Sequence, residues 1–209
     1  MDDHRNHDRP TERGGYWNHN TAYHAWLIDI AARHQGDVLD VGCGDGLLAQ
    51  RLAAVSRSVV GIDVDPAIVV RARARLEPVG NASVRFVSFA DFDEAERSFD
   101  LITFVASLHH LPLRKTLPKS GRLLRRGGEL AVVGLSANKT LTDWTWAALC
   151  TPAARLGSRL HRETRNIGVT VAEPRDGLDD IRRVADELLP GAVIRRGLYY
   201  RYRLLWRCR

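Results

Sequence analysis

Lysine, methionine and cysteine are all scarce in this chain, and no long apolar run occurs. No stretch approaches the ~20 consecutive apolar residues that a bilayer-crossing helix requires. The opening Met1-Asp2-Asp3-His4-Arg5-Asn6-His7-Asp8-Arg9 is too polar for a secretory signal. The expectation is a soluble, cytoplasmic protein without membrane contact. Three scattered cysteines, Cys43, Cys150 and Cys208, form neither a disulfide framework nor a metal-ligand spacing, so no metal is expected. Lysine occurs only at Lys115, Lys119 and Lys139, so the net charge of +6 is carried by arginine. Those arginines (Arg71, Arg73, Arg75; Arg122, Arg125, Arg126; Arg182, Arg183) are spread among several elements and interspersed with acids. This reads as solvated faces rather than a phosphate-tracking surface, and a nucleic-acid partner is not expected. Internal repeats and low-complexity linkers are also missing.

What is present fits one domain of ordinary size: 209 residues with 44% hydrophobic content. The most informative stretch is Val38-Leu39-Asp40-Val41-Gly42-Cys43-Gly44-Asp45-Gly46-Leu47-Leu48. It joins a buried-strand pattern to a glycine turn and then to a helix start. Glycine at alternate positions lets the backbone turn sharply and lets a ligand lie against the main chain. The next apolar run, Ser58-Val59-Val60-Gly61-Ile62, ends in Asp63. An acid at that place can accept from both hydroxyls of a ribose.

Residues 1–15 are charged and almost free of large apolar groups, which predicts a disordered tail. Order is expected from Tyr16, with 16–36 as an N-terminal helical cover: Ala22, Ala25, Trp26, Ile28, Ile30 and Ala32 make an apolar stripe over 17–34. Strands are then expected at 37–41, 58–62, 84–88, 99–105 and 128–135, and helices at 46–55, 66–77 and 112–125, with a short turn or helix near 92–97. Such alternation requires a parallel sheet with helices on both faces, and ligands at the carboxyl ends of its strands. Residues 136–175 interrupt the pattern as a lid or substrate cover, carrying Trp144, Trp146, Leu149, Pro152, Leu156, Leu160 and a charged tail through Arg165. A helix at about 176–189 and strands at about 192–197 and 199–207 complete the single domain, 16–209. Pro190-Gly191 or Arg196-Gly197 supplies the turn chemistry there.

Taken together, VLDVGCGDG at 38–46, VVGIDVDP at 59–66, Asp91-Phe92, FDLITFVASLHHL at 99–111 and LLRRGGELAVVG at 123–134 resemble the class I S-adenosylmethionine-dependent methyltransferases. The motifs keep the family's order and span roughly half the chain. The resemblance implies an α/β, Rossmann-like, seven-stranded and mostly parallel sheet with an antiparallel last strand and helices on both faces. It implies S-adenosyl-L-methionine as cofactor, with S-adenosyl-L-homocysteine as product. Asp40 is then expected near the methionyl part of the donor, or satisfied by backbone amides. Gly42 and Gly44 give backbone approach, and Gly46 permits close packing at the helix start. Asp63 is read as the ribose clamp, with a helix cap as the bland alternative and Asp65 as its competitor for that cap. Asp91 and the Phe92 amide match the pair that reads the adenine, with an acid that only forms the turn as the bland alternative for Asp91. Val64 and Val105 join the cofactor site through their places in the motifs. Cys43 does so too, as a thiol beside the ligand or merely a small side chain in a tight turn. Tyr16, His19 and Tyr23 are assigned to the site as a cover over the donor, or else belong to an amphipathic helix with polar tips in water.

Methyl transfer from a sulfonium is an in-line displacement, and near-attack positioning alone can supply about 7–11 kcal/mol of barrier reduction. A dedicated catalytic side chain is therefore optional. His109, after the fourth central strand, is the candidate, as a positioning group or as a general base. The favoured reading is methyl transfer to a small-molecule acceptor. Three alternatives stay open. A nucleic-acid methyltransferase is disfavoured by the missing Asn/Asp-Pro-Pro-Tyr/Phe and Pro-Cys motifs. A nicotinamide-dependent oxidoreductase is disfavoured because Gly42-x-Gly44-x-Gly46 is one residue tighter than the dinucleotide fingerprint. A non-catalytic cofactor-binding protein would share the same fold.

Overall fold

The computed structural model describes residues 16–140, 143, 145, 146, 148, 150–152, 174–199 and 201–209. The tail 1–15 and, within the cover segment, Trp144, Leu149, Leu156, Leu160 and Arg165 lie outside the described residues. After a short 3-10 turn at Thr21–Tyr23, the elements are α1 (His24–His34), β1 (Asp37–Val41), α2 (Leu47–Ala53), β2 (Ser58–Asp63), α3 (Pro66–Leu76) and β3 (Ala82–Phe86). Then come β4 (Phe99–Val105), a 3-10 turn at Leu108–His110, α4 (Leu113–Leu123), β5 (Leu124–Gly134), α5 (Leu178–Leu188), β6 (Val193–Arg196) and β7 (Tyr202–Arg207). The seven strands form one sheet in the order β3-β2-β1-β4-β5-β7-β6, in which β7 runs antiparallel to both of its neighbours. This is the Rossmann-like α/β architecture expected from the motifs. No helix among the described residues is long and apolar enough to cross a membrane.

The central strands are buried on both faces, so they read as nearly continuous apolar runs. One core joins Leu27 and Ile30 of α1, Leu48 and Leu52 of α2, and Val69 and Ala72 of α3 to Val38 and Leu101 of the sheet. The other joins Leu117 of α4 and Ile181 of α5 to Leu39, Ile102 and Phe104. Because β2 and β3 are laid down on one side of β1 and β4 and β5 on the other, the strand order reverses at β1, and the crevice of an open α/β sheet falls at its carboxyl end.

Several boundaries differ from the sequence pattern, each for a local reason. The expected helix over 17–34 begins at His24, because Asn18 folds the preceding residues into a turn: its side-chain oxygen accepts from the amides of Asn20 and Thr21 at 3.0 Å each. The third strand occupies 82–86 rather than 84–88: its last pair is Phe86 with Asp63, and the Val87 amide closes the ladder on the Asp63 carbonyl at 3.1 Å. Of the turn or helix expected near 92–97, a turn at 96–97 forms and no helix does. The fifth strand starts at Leu124 instead of 128, with a register shift against β4 that absorbs the Gly127-Gly128 pair. The last strand starts at Tyr202, since Leu198–Tyr199 form a turn.

Gly134, where β5 meets β7, packs against the buried Tyr202 ring, and a Cβ built there would stand 2.3 Å from it. Gly134→Ala is expected to lower stability by about 1–3 kcal/mol through overpacking, read as a drop in the urea midpoint.

Candidate functional site

The glycine turn and the end of β2 are bound to each other. Gly42, Gly44 and Gly46 all take positive φ, which disfavours any other residue. A side chain at Gly42 would strike Ser107, whose hydroxyl donates to the Val41 carbonyl at 2.6 Å. The side of Gly44 where a side chain would stand is open space. The Gly44 amide donates to Asp63 Oδ2 at 3.0 Å, while Asp63 Oδ1 accepts from the Asp65 amide at 3.0 Å. A carboxylate has about four acceptor positions, so two remain for a ligand. The helix-cap alternative for Asp63 falls away, because Asp65 caps α3 by accepting from Ala67 and Ile68, with Pro66 at the first helical position. Val64, next in the chain, exposes 64% of its surface and offers an apolar platform beside the carboxylate.

Asp40 is 1% exposed. Its Oδ1 accepts from the Thr103 hydroxyl at 2.7 Å, and its Oδ2 has no hydrogen-bond partner among the described residues. The backbone amides proposed as its bland alternative do not satisfy it. Burial pushes its carboxyl up from 3.8 to about 7, opposed by the Thr103 hydrogen bond and reinforced by the charge of Asp63. Cys43 is buried, and desolvation and the neighbouring carboxylates push its thiol up, which disfavours the thiolate.

Beyond β4 the chain turns at Ala106, which sits at φ +53, a conformation costing a non-glycine residue about 1–3 kcal/mol. The Ala106 amide donates to Val133 on β5, locking the turn. Val105 is partly buried against the α1–α3 core. His109 follows in the 3-10 turn, its ring 4.1 Å from that of His110. On the far side, residues 88–92 close on themselves. Asp91 accepts from the Ser88 hydroxyl at 2.6 Å, and the Phe92 amide donates to the Ser88 carbonyl at 2.9 Å. That amide, expected to meet the adenine, is occupied within the turn, and the Phe92 ring belongs to the core.

The N-terminal segment divides its aromatic residues. Tyr16 reaches the glycine turn, donating to Asp45 Oδ1 at 3.1 Å, and Asp45 is in turn paired with Arg75 at 2.8 Å. His19 stacks on Tyr199 at 4.7 Å, with Trp17 edge-on to both rings. Tyr23 goes elsewhere: its hydroxyl donates to the Leu198 carbonyl at 2.6 Å and its ring is core, so it ties the N-terminal turn to the β6–β7 loop rather than lining the glycine turn. Among the described residues no cluster of metal-binding side chains occurs. A cleft of about 440 Å³ beside Gly127, Pro190 and Arg207 lies at the opposite end of the sheet.

The family description "Methyltransferase domain" matches residues 38–128. An uncharacterized methyltransferase of Mycobacterium tuberculosis is 36% identical over 195 residues, covering 91% of this chain and 96% of the relative. The chain belongs to the class I S-adenosylmethionine-dependent methyltransferases. A ubiquinone biosynthesis O-methyltransferase of Xanthomonas oryzae is 38% identical over 106 residues, which are 49% of this chain and 43% of that protein. The N-methyltransferase NodS of Bradyrhizobium japonicum, solved with S-adenosyl-L-homocysteine, superposes with a TM-score of 0.62 at 21% identity, covering 90% of this chain and 86% of that one.

In this methyltransferase the fold gathers Asp40, Gly42, Cys43, Gly44, Asp63 and Tyr16 around one turn, while His19 belongs to the aromatic cluster on the β6–β7 loop. Sequence reasoning missed Thr103, whose signal was a lone hydroxyl in the apolar run FDLITFV. It also missed the pairing of Asp45 with Arg75, thirty positions apart, and the bond from Ser107 back to the end of β1.

Asp40 makes stability depend on pH. Its carboxyl is raised on folding, so the folded state holds the proton more tightly, and the ligand-free protein loses stability as pH climbs from about 4 to about 7. Asp40→Asn removes that penalty. Its melting temperature is expected to exceed wild type by a margin that widens from pH 5 to pH 7 and then stays constant, measured by calorimetry without ligand.

Proposed function

We propose that this methyltransferase moves the methyl group of S-adenosyl-L-methionine to a small-molecule acceptor by in-line displacement. The observation that carries the reading is the Asp63 carboxylate, fixed by the Gly44 and Asp65 amides with acceptor capacity to spare beside an open glycine turn. In this reading Asp63 accepts from both ribose hydroxyls, Gly42 and Gly44 let the donor lie on the main chain, and Val64 packs against its flat base. Asp91 meets the base through its carboxylate alone, given that the Phe92 amide is taken. The donor supplies an electrophilic methyl on a positively charged sulfur. The protein supplies alignment and exclusion of water.

A small acceptor is supported by the ubiquinone-pathway relative and by the aromatic rings of Trp17, His19 and Tyr199 beside the carboxyl end of β5. A nucleic-acid acceptor finds less support, because Arg33, Arg57, Arg75, Arg85, Arg114, Arg125 and Arg196 are engaged by carboxylates rather than arrayed as a free basic stripe. The described start of the segment after β5 is held by Asp143, which accepts from Thr140 and pairs with Arg196 at 2.6 Å.

Asp63→Ala is expected to weaken S-adenosyl-L-homocysteine binding about 10- to 100-fold, since two charge-assisted hydrogen bonds disappear. Unchanged affinity in a calorimetric titration would sink the reading. Transfer of a labelled methyl group to a panel of phenols, amines and carboxylic acids then identifies the acceptor class. His109 is read as a positioning residue for the acceptor. His109→Gln should keep donor affinity and lower turnover less than tenfold, whereas a general base would cost about 10²–10⁴-fold.

A further inference from the structure

Asp40 sits in the middle of the sheet between two register partners, Gly61 on β2 and Thr103 on β4. Gly61 presents no side chain, and the Cys43 sulfur lies 2.9 Å from where its Cβ would stand. Thr103 is fully buried in a strand where an aliphatic residue would pack as well, and a buried hydroxyl is costly unless it is bonded. Its hydroxyl goes to Asp40 Oδ1 at 2.7 Å, with the Leu39 carbonyl more distant at 3.5 Å. The second carboxylate oxygen is buried and unpartnered among the described residues. A carboxyl group so placed, beside the turn that faces the ligand, is arranged for a cationic donor of hydrogen bonds that arrives from outside the chain.

We propose that Thr103 is a positioning residue for methyl-donor binding: its hydroxyl fixes one oxygen of Asp40 so that the other receives the donor's ammonium group. This rests on the donor-binding reading of the glycine turn. Where Asp40 is protonated before the donor arrives, the exchange balances simply. The O–H bond of the Asp40 carboxyl breaks, its proton passes to solvent, and the carboxylate pairs with the intact ammonium. Among the described residues the titratable groups around Asp40 are few. Asp63 faces it from β2 and opposes its ionisation, as burial does. Cys43 faces it from the turn and is held neutral. Tyr16 from the N-terminal segment and Asp45 at the outer end of the turn engage each other, and Thr103 from β4 does not titrate.

With Asp40 protonated below about pH 7 in the free protein, donor affinity must rise with pH and level off above that value. Thr103 donates to the ionised carboxylate, so its removal moves this rise to higher pH.

The test is calorimetric titration of S-adenosyl-L-homocysteine into wild type, Thr103→Val and Thr103→Ser from pH 5.5 to 8.5, in two buffers of different ionisation enthalpy so that protons are counted. 5′-Methylthioadenosine, which keeps the nucleoside but lacks the ammonium group, is the control. For wild type, affinity for S-adenosyl-L-homocysteine should climb about tenfold per pH unit below pH 7, with close to one proton released. Thr103→Val should shift that climb upward by about one pH unit, weakening binding at pH 6.5 roughly tenfold. Thr103→Ser should restore it. Methylthioadenosine affinity should be flat with pH and equal in all three proteins, which also shows that the valine variant is folded.

Flat S-adenosyl-L-homocysteine affinity with normal methylthioadenosine binding would mean that a trapped water satisfies Asp40. That overturns the proposal and leaves the donor site standing. Loss of both ligands in Thr103→Val alone would assign Thr103 to the fold and overturn it as well. Failure of both ligands to bind wild type would instead bring down the donor-binding reading, and this proposal with it.

Discussion

The crevice depends on the lacing of the glycine turn after β1 to the end of β2. The amides of Gly42 and Cys43 donate to the Ile62 carbonyl at 2.9 and 3.1 Å, and the amide of Gly44 donates to the carboxylate of Asp63. The first two bonds extend the sheet into the turn. The third fixes the carboxylate: the turn's open side and the acid's spare lone pairs are set relative to each other by the fold alone. Such preorganisation matters for a displacement reaction, because the transition state tolerates little misalignment and alignment is most of what the protein contributes. The rest of the site is braced against this pair. Ser107 locks the end of β1 from the β4 side, and Gly46, just before α2, lets that helix approach Ala72 of α3 closely.

Asp40 works in the opposite sense. A carboxyl group in the middle of a buried parallel sheet weakens the fold once it ionises, and its second oxygen gains no compensating bond from the described residues. Residues of this kind persist where a ligand completes them, and perturbed carboxyls concentrate at functional sites. The strained Ala106 at the end of β4 belongs to the same pattern: local cost next to the crevice, offset by the close-packed strands beneath it.

At the other side of the crevice, the N-terminal segment and the β6–β7 loop are held together as one unit. Tyr23 donates to Leu198, Arg201 donates to Asn20 at 2.9 Å, and Trp146 donates to Gly197 at 3.3 Å. These side chains come from three distant stretches of sequence, and together they set the stacked His19 and Tyr199 rings. The arrangement ties the described residues after β5 to the sheet edge.

The sequence by itself determined the alternation of strands and helices, the glycine turn, the Asp63 position and the capped start of α3, since each depends on residues close along the chain with a fixed local geometry. Val38–Gly46 is legible because backbone turns and strand burial are local demands. Tertiary structure decided what depends on neighbours far apart in sequence, and on local competition that motifs do not reveal. It committed the Phe92 amide to Ser88, moved Tyr23 from the site to a loop tie, and set Thr103 beside Asp40. The physical reason is that each of these donors has one proton to give, and which acceptor receives it is fixed by sheet register and packing rather than by the residue's own identity.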